Sequence, residues 1–313
     1  MQLHNDTAPL VSVAMCTFNG AAYLKAQLET IINQTYVNLE IVITDDGSTD
    51  NTIQIIKQMQ NIDPRIKFIQ NEKNLGYNKN FEKAFSLCQG DFIAIADQDD
   101  IWELNKVEYM MKAWPQGSLF IYSLSGNFSS NDFANRKPAP DVIYTHIDDV
   151  HKLVFNSPVH GHACMFKKEL LPLCMPFPDD IYYDWWMSMH AASTGFIGCI
   201  AQTLTWHRAH DSNSSRQIMS VKNKMQRNEE LRLQSVYFIE RFCKRNLLKE
   251  QQQASLLKYA GLLKTLDGKS FSRAMFSYIF LNRKLIFHYK KQKLFTTLSY
   301  LKRAYRMGYS GLL

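Results

Sequence analysis

The chain has 313 residues, of which 46% are hydrophobic and 21% charged, and it carries a net charge of +7. That composition is globular, and the length calls for one large domain with an appendage or for two domains. It excludes a membrane-spanning segment, because no apolar run approaches the roughly 18 residues needed.

The six cysteines (Cys16, Cys88, Cys164, Cys174, Cys199 and Cys243) are scattered, without a CxxC pair or metal-ligand spacing. They read as small buried hydrophobes in a reducing compartment. Residues 1–9 are polar and lack an apolar core, so no signal peptide is expected. The charge is uneven. Residues 214–313 hold 21 Lys/Arg and 5 Asp/Glu, a net +16, against −9 for residues 1–213. An acidic body with a basic C-terminal region calls for an anionic partner surface.

Residues 11–16 form a short apolar run, predicted as a strand and broken by Thr17-Phe18-Asn19-Gly20. Apolar residues at helical spacing (Tyr23, Leu24, Leu28, Ile31, Ile32) predict a helix over 21–34. A second strand covers 39–44, followed by the turn cluster 45–50 and a helix over 51–60, with Ser48, Thr49 or Asp50 available to cap it. A third strand covers 65–70. Asn74-Leu75-Gly76-Tyr77 then turns into a helix over 78–88, and a fourth strand runs from Phe92 to Asp97. Further strands are expected at 118–127, 164–166 and 196–205, a polar loop at 129–141, and helices at 147–155 and 183–194. Beyond residue 215 the pattern is helical. Alternating strands and helices imply βαβ units and a parallel sheet, whose ligands bind beyond the carboxyl ends of the strands. Thr17-Phe18-Asn19, Asp45-Asp46 and Asp97-Gln98-Asp99-Asp100 all fall on that rim.

The fourth strand ends in three carboxylates within four residues: Asp97, Asp99 and Asp100. Like charges this close favour one another's protonation, so a cation is called for. Mg²⁺ or Mn²⁺ prefers oxygen ligands, and Asp97 and Asp99 can grip one ion between them. The plainer alternative is that Asp99 or Asp100 caps a helix starting near Ile101.

Taken together, these segments resemble the inverting glycosyltransferases of family 2, which have the GT-A fold. The resemblance covers about residues 10–213. It rests on residues 11–20, on Ile43-Thr44-Asp45-Asp46-Gly47-Ser48-Thr49-Asp50, on Asn74-Leu75-Gly76, on Asp97-Gln98-Asp99-Asp100, on Tyr183-Asp184-Trp185-Trp186 and on Trp206-His207-Arg208-Ala209-His210. The DQDDIW and DWW forms look most like a branch of rhamnosyltransferases of bacterial polysaccharide synthesis. The resemblance implies an α/β GT-A catalytic domain over 1–213, with a mostly parallel sheet flanked by helices. Its nucleotide-binding half is Rossmann-like and spans 1–105, its acceptor half spans 106–213, and a basic helical region follows over 214–313.

It also implies roles. Thr17, Phe18 and Asn19 would floor a nucleotide pocket, and Asp45 would accept a hydrogen bond from the N3–H of uracil or thymine. Asn74, Gly76 and Lys79 would reach the base or pyrophosphate. Asp97 would lie near the ribose and metal, with Asp99 and His210 as metal ligands, Arg208 on the diphosphate and Asp100 structural. Asp184 would be the general base, and Gly161, His162, Trp185 and Trp186 would line the acceptor. Each residue also has a plainer reading: Asp45 as a turn residue, Lys79 as a solvated helix lysine, Asp184 as a helix cap, the tryptophans as core, and His207 as a surface residue. Relatives usually carry glycine where this chain has Asp211.

The implied reaction moves a sugar from a UDP- or dTDP-sugar to a hydroxyl of a glycan or lipid-linked acceptor in cell-surface polysaccharide synthesis. The implied cofactor is Mn²⁺ or Mg²⁺. The basic helices from Phe271 onward would bring the cytoplasmic enzyme to the anionic inner face of the plasma membrane, the plainer alternative being a helical region packed on the catalytic core with its charges solvated. Nucleic acid is not an expected partner. Two alternatives stand beside this reading: a nucleotidyltransferase, for which the first turn lacks a Gly-rich basic loop, and a non-catalytic scaffold that binds membranes or partners.

Overall fold

The computed structural model describes residues 8–129, 132–140, 143–210, 224–267, 270–289 and 296–310. They form two compact units. The first comprises the described parts of Met1–Pro140, Val159–Ala191 and Ile197–Ala209. The second comprises those of Asp141–Pro158, Ala192–Phe196 and His210–Leu313.

The first unit is built on one nine-stranded sheet. Strands β1 (Val11–Thr17), β2 (Leu39–Asp45), β3 (Ile66–Gln70) and β4 (Phe92–Ala96) are joined by helices α1 (Leu24–Ile32), α2 (Thr52–Ile62) and α3 (Tyr77–Leu87). All four strands are parallel, in the order β3-β2-β1-β4. β1 and β2 are buried almost throughout, the polar Ser12 and Glu40 included, because helices cover both faces of the sheet. Leu24, Leu28 and Ile31 of α1 are buried on one side, and Phe81, Ala84 and Phe85 of α3 likewise. The register sets Thr17 opposite Asp45, and Met15 opposite Ala96. The carboxyl ends of β1, β2 and β4 therefore share one edge. From β1 the chain first winds outward to β2 and β3, then returns to lay β4 on β1's other side. That reversal opens a crevice at the ends of β1 and β4, where α/β sheets bind ligands.

The rest of the sheet is mixed, so the parallel arrangement expected from sequence describes chiefly its first half. Beyond β4 come β8 (Cys164–Lys167), β6 (Phe120–Ser129), β9 (Ile197–Ala209) and β5 (Ile101–Trp102). β8 is antiparallel to both neighbours, whereas β6 and β9 run parallel. Helices α4 (Lys106–Lys112), α6 (Leu171–Cys174) and α7 (Tyr183–Thr194) complete the unit's helical elements.

Two local expectations change. Residues 132–137, expected as loop, form β7 (Asp132–Lys137), paired to β6. Almost all its side chains are exposed, so no apolar alternation marks it in the sequence. The helix expected near Ile101 begins instead at Lys106, because Ile101 and Trp102 pair with Trp206 and Thr205 of β9 and bury the Trp102 ring.

The second unit is helical: α5 (His151–Asn156), α8 (Lys224–Cys243), α9 (Glu250–Lys264), α10 (Arg273–Leu281), α11 (Arg283–Ile286) and α12 (Thr296–Ser310). Its core includes Phe238, Phe242, Leu256, Tyr259 and Ile279. Tyr259 stacks on Tyr278 at 5.5 Å and meets Phe155 at 4.4 Å. No described helix is long and apolar enough to cross a membrane.

Phe85 is fully buried among Phe81, Phe166 and Tyr183, with ring centroids 5.1–5.6 Å away. Replacing it with alanine should cost about 3–5 kcal/mol. Urea unfolding will show this as a lower midpoint with an unchanged slope.

Candidate active site

The site begins at the end of β2. Asp45 is fully buried, and its carboxylate accepts from four donors. Thr17 Oγ1 donates at 2.7 Å, Ser48 Oγ at 2.5 Å, Ser48 N at 2.8 Å and Gly47 N at 3.1 Å. The turn needs Gly47, whose φ is +85°. Asp45 thus ties β1 to the turn after β2, and its oxygens face inward. Asn19 knits the same two loops: its N–H donates to Ser48 Oγ and its Oδ1 accepts from Thr49 N, both at 2.8 Å. Phe18 is 48% exposed at the mouth of the crevice. Its backbone is clipped on both sides by Gln98, at 3.0 and 3.1 Å. The loops after β1 and β4 are locked together by that amide, which the sequence reading passed over.

Asp46 organises the loop after β3. Its carboxylate accepts from Leu75 N (2.7 Å), Gly76 N (2.9 Å) and Asn71 Nδ2 (3.0 Å), while Asn74 Nδ2 donates to its carbonyl at 3.0 Å. Asn74 and Gly76 therefore contact Asp46. Lys79 donates to the Phe177 carbonyl at 3.1 Å and pairs with Glu82 at 3.3 Å. Asn78 is buried and bonds the carbonyls of Pro178 and Ile181 and the N–H of Tyr183, which fixes the start of α7.

The acidic turn follows β4. Asp97 is half-buried and Asp100 fully buried. Nδ1 of His162 lies 3.7 Å from Asp97 and 3.6 Å from Asp100. Asp100 Oδ1 accepts from Arg208 N at 3.1 Å, while Oδ2 has no hydrogen-bond donor among the described residues. Asp97, Asp100 and His162 each hold a ligand atom within 4.8 Å of the others. Two carboxylates and an imidazole suit Mn²⁺ or Mg²⁺, so the residues present fit a divalent cation. Asp99 is half-buried beside them, and its carbonyl accepts from Arg208 Nε at 2.8 Å. The Arg208 guanidinium lies over the rings of Phe128 (4.6 Å) and Tyr23 (4.8 Å).

Burial raises the carboxyls of Asp97 and Asp100, and for Asp100 the neighbouring Asp97 and Asp99 add to the rise. Burial also keeps His162 well below its ordinary value and brings His207 to about 4. Both imidazoles are therefore neutral at pH 7. His207 packs 5.3 Å from His162, so it is part of the cluster and not the surface residue suggested by sequence. Beneath it Lys106 is wholly buried. Burial lowers it to about 7, and Asp100 and Asp97 oppose that shift.

Asp184 stands in the first turn of α7. It accepts from Gly161 N at 3.1 Å and Trp185 N at 2.8 Å. Burial raises its pKa, and those two N–H groups and His160 oppose the rise. Gly161 has to be glycine: a Cβ there would lie 2.6 Å from the Tyr183 hydroxyl. His162, expected beneath the acceptor, is buried and turned to the acids. Trp186 is buried and donates to the Cys174 carbonyl at 2.8 Å, whereas Trp185 is half-buried. His210 belongs to the second unit, where it opens the C-terminal segment. Asp211 lies outside the described residues.

Residues 12–172 match the model of Glycosyl transferase family 2. The chain belongs to that family. It is 27% identical over 232 residues to an uncharacterized glycosyltransferase of Haemophilus influenzae, covering 67% of this chain and 68% of the relative. It is 30% identical over 196 residues to the Escherichia coli enzyme WfgD, covering 60% of this chain and 75% of that one. WfgD is a UDP-Glc:alpha-D-GlcNAc-diphosphoundecaprenol beta-1,3-glucosyltransferase. Among solved structures, TarS 1-349 of Staphylococcus aureus with UDP-GlcNAc aligns over 97% of this chain and 90% of its own, with a TM-score of 0.60 at 16% identity. The Pyrobaculum calidifontis mannosyltransferase with GDP-Man and Mn²⁺ aligns over 97% and 89%, with a TM-score of 0.53 at 18% identity. At such identities the likeness shows the fold, and this family 2 glycosyltransferase has the GT-A fold.

Asp45→Asn would turn an amide donor toward at least one of four existing donors. We expect a loss of about 1.5–3 kcal/mol of stability, read as a lower urea midpoint.

Proposed function

We propose that the chain transfers a sugar, with inversion, from a pyrimidine nucleotide-sugar to a hydroxyl of a glycan or lipid-linked acceptor in cell-surface polysaccharide synthesis. The observation that carries this reading is one of geometry. The acidic 97–100 turn and Asp184 are bridged by a single three-residue turn, Gly161–Ala163, at the carboxyl edge of the sheet. A diphosphate carried by a cation and a base for the acceptor thereby come to the same crevice.

The nucleotide lies across the ends of β1 and β2. Thr17, Asn19 and Asp45 build the floor, half-exposed Phe18 covers the base or ribose, and Asn74, Gly76 and Lys79 shape the wall beyond β3. Asp97 and Asp99 would hold the cation at the open rim, with Asp100 and His162 behind them. Bound Mn²⁺ or Mg²⁺ would neutralise the diphosphate as it leaves. Arg208 holds the Asp99 carbonyl in place, and its guanidinium is the group that the sequence resemblance sets on the diphosphate. The acceptor oxygen attacks the anomeric carbon as the bond from that carbon to the diphosphate breaks, and Asp184 takes the hydroxyl proton. Gly161, His162, Trp185 and Trp186 form or support the acceptor wall. WfgD, a UDP-Glc enzyme, and TarS, which binds UDP-GlcNAc in its crystal structure, support a uridine donor, and the sequence resemblance keeps dTDP-rhamnose as a candidate.

Asp184→Asn should keep nucleotide binding by calorimetry and lose transfer by about 10²–10⁴-fold. Wild-type binding together with full transfer in this variant would remove Asp184 from the role of base. Only the ionised carboxylate can take the proton, and burial raises its pKa. The wild-type rate should therefore fall with decreasing pH at values above the ordinary aspartate range, and a rate flat down to that range would contradict the assignment.

The second unit would bring the enzyme to the cytoplasmic face of an anionic membrane. No Asp or Glu occurs after Asp267, against ten Lys/Arg. Leu298, Lys302, Tyr305 and Arg306 of α12 are exposed at helical spacing. The full chain should sediment with vesicles containing phosphatidylserine, and less so as salt is raised. Equal sedimentation with neutral vesicles would contradict this.

A further inference from the structure

We propose that Tyr77 and Tyr182 form an aromatic corner that stacks on a pyranose ring of the acceptor and sets its hydroxyl before Asp184. This inference rests on the reading of Asp184 as base, and it names the reacting end of the acceptor as a sugar.

The two rings come from distant parts of the chain. Tyr77 opens α3, and Tyr182 immediately precedes α7. They are 45% and 52% exposed, so each leaves apolar ring surface to solvent, which a ligand can cover. Their centroids lie 6.4 Å apart and their planes meet at 79°, which makes the pair a corner. The corner is rigid. Asn78, next to Tyr77, is buried, and its amide donates to the Ile181 carbonyl at 2.6 Å and accepts from the Tyr183 N–H at 3.1 Å. Those are the residues on either side of Tyr182, so one side chain fixes the backbone that carries both rings. Tyr77 is also seated edge-on against Phe81 at 5.2 Å and against Tyr183 at 5.3 Å. A site held in this way before binding loses little freedom when a ligand arrives.

The corner stands beside the base. Tyr183, on which Tyr77 packs, carries its hydroxyl to Gly161: a Cβ there would lie 2.6 Å from that hydroxyl and 3.4 Å from the Asp184 Cβ. The Gly161 N–H is bonded to the Asp184 carboxylate. Tyr182 is two residues before Asp184, and its carbonyl accepts from Trp186 N at 3.0 Å. Other rings near the base have less surface to give. Trp186 is buried and bonded to the Cys174 carbonyl, and the His162 ring is buried and faces the acids. A pyranose has an apolar C–H face and a rim of hydroxyls, which fits the apolar body and polar tip of a phenol.

The test uses the full chain and two readouts. First, aromatic protons are saturated by NMR in the presence of methyl glycosides of glucose, galactose, N-acetylglucosamine and rhamnose. At least one glycoside should receive saturation on its ring C–H protons. Tyr182→Ala and Tyr77→Ala should each weaken that transfer, and Tyr182→Phe should keep it because the ring remains. Second, glycosyl transfer to that glycoside is followed with the nucleotide-sugar that the wild type uses. The acceptor KM should rise about 2–12-fold in each alanine variant, the span expected for one aromatic stacking contact. The Kd of UDP or dTDP, read by calorimetry, should stay at the wild-type value. A wild type that passes saturation to none of the glycosides would overturn the proposal. So would alanine variants that match the wild type in both readouts, or a Tyr182→Phe variant as impaired as Tyr182→Ala. A rise in donor KM with acceptor KM unchanged would give the corner to the donor and contradict the proposal. Tyr77→Ala also removes packing on Phe81 and Tyr183, so if it does not fold, Tyr182→Ala decides. Full transfer by Asp184→Asn would sink the base reading, while the saturation difference between wild type and Tyr182→Ala would still decide this one.

Discussion

Charge compensation at the end of β4 is the constraint on which the rest of the site depends. A buried strand delivers Asp97, Asp99 and Asp100 into a crevice with low dielectric on its protein side, and such a cluster is not stable unless positive charge and hydrogen-bond donors surround it. The fold gathers groups around it from far along the chain: the His162 ring from the turn before β8, the Arg208 N–H from β9, and Lys106 of α4, which holds the His162 carbonyl. The second half of the sheet is thereby organised around a charge problem posed by the first.

The same arrangement divides labour among the acids. Asp45, a binding group by resemblance, and Asp46, a turn residue in sequence, each accept several hydrogen bonds that build the loops. Asp100 is fully buried beside His162, while Asp97 and Asp99 are half-buried at the rim. Asp184 sits across the crevice, its pKa raised by burial yet restrained by two backbone N–H groups. A base held in this way has a fixed direction as well as a tuned proton affinity, and orientation is what an in-line displacement needs.

Much of this was legible in the chain. The mostly apolar runs of β1, β2 and β4 and the helical spacing of α1 mark the Rossmann-like half, since helices cover both of its faces. The Asp97-Gln98-Asp99-Asp100 motif and the Asp184-Trp185-Trp186 element marked the chemistry. What sequence could not show were partners chosen by three-dimensional packing. Lys106 looks like any helix lysine until Trp102 is seen to fold over it. Gln98 is one amide among many until it is seen to clip Phe18. β7 hides because an exposed edge strand needs no apolar alternation, and the mixed order of the later strands depends on long-range pairing. Asp100, read as structural from sequence, shares the triad with Asp97 and His162, because the imidazole arrives from sixty residues downstream.

The central claim is that the acidic rim awaits a cation carrying a nucleotide diphosphate. The most direct test is calorimetric titration of the full chain with UDP, dTDP and GDP, each with Mn²⁺ and then with EDTA. Saturable binding of UDP or dTDP that requires Mn²⁺, with GDP bound more weakly, is the expected result. Binding that is unchanged by EDTA, or a preference for GDP, would contradict the account of the rim or of the base it selects.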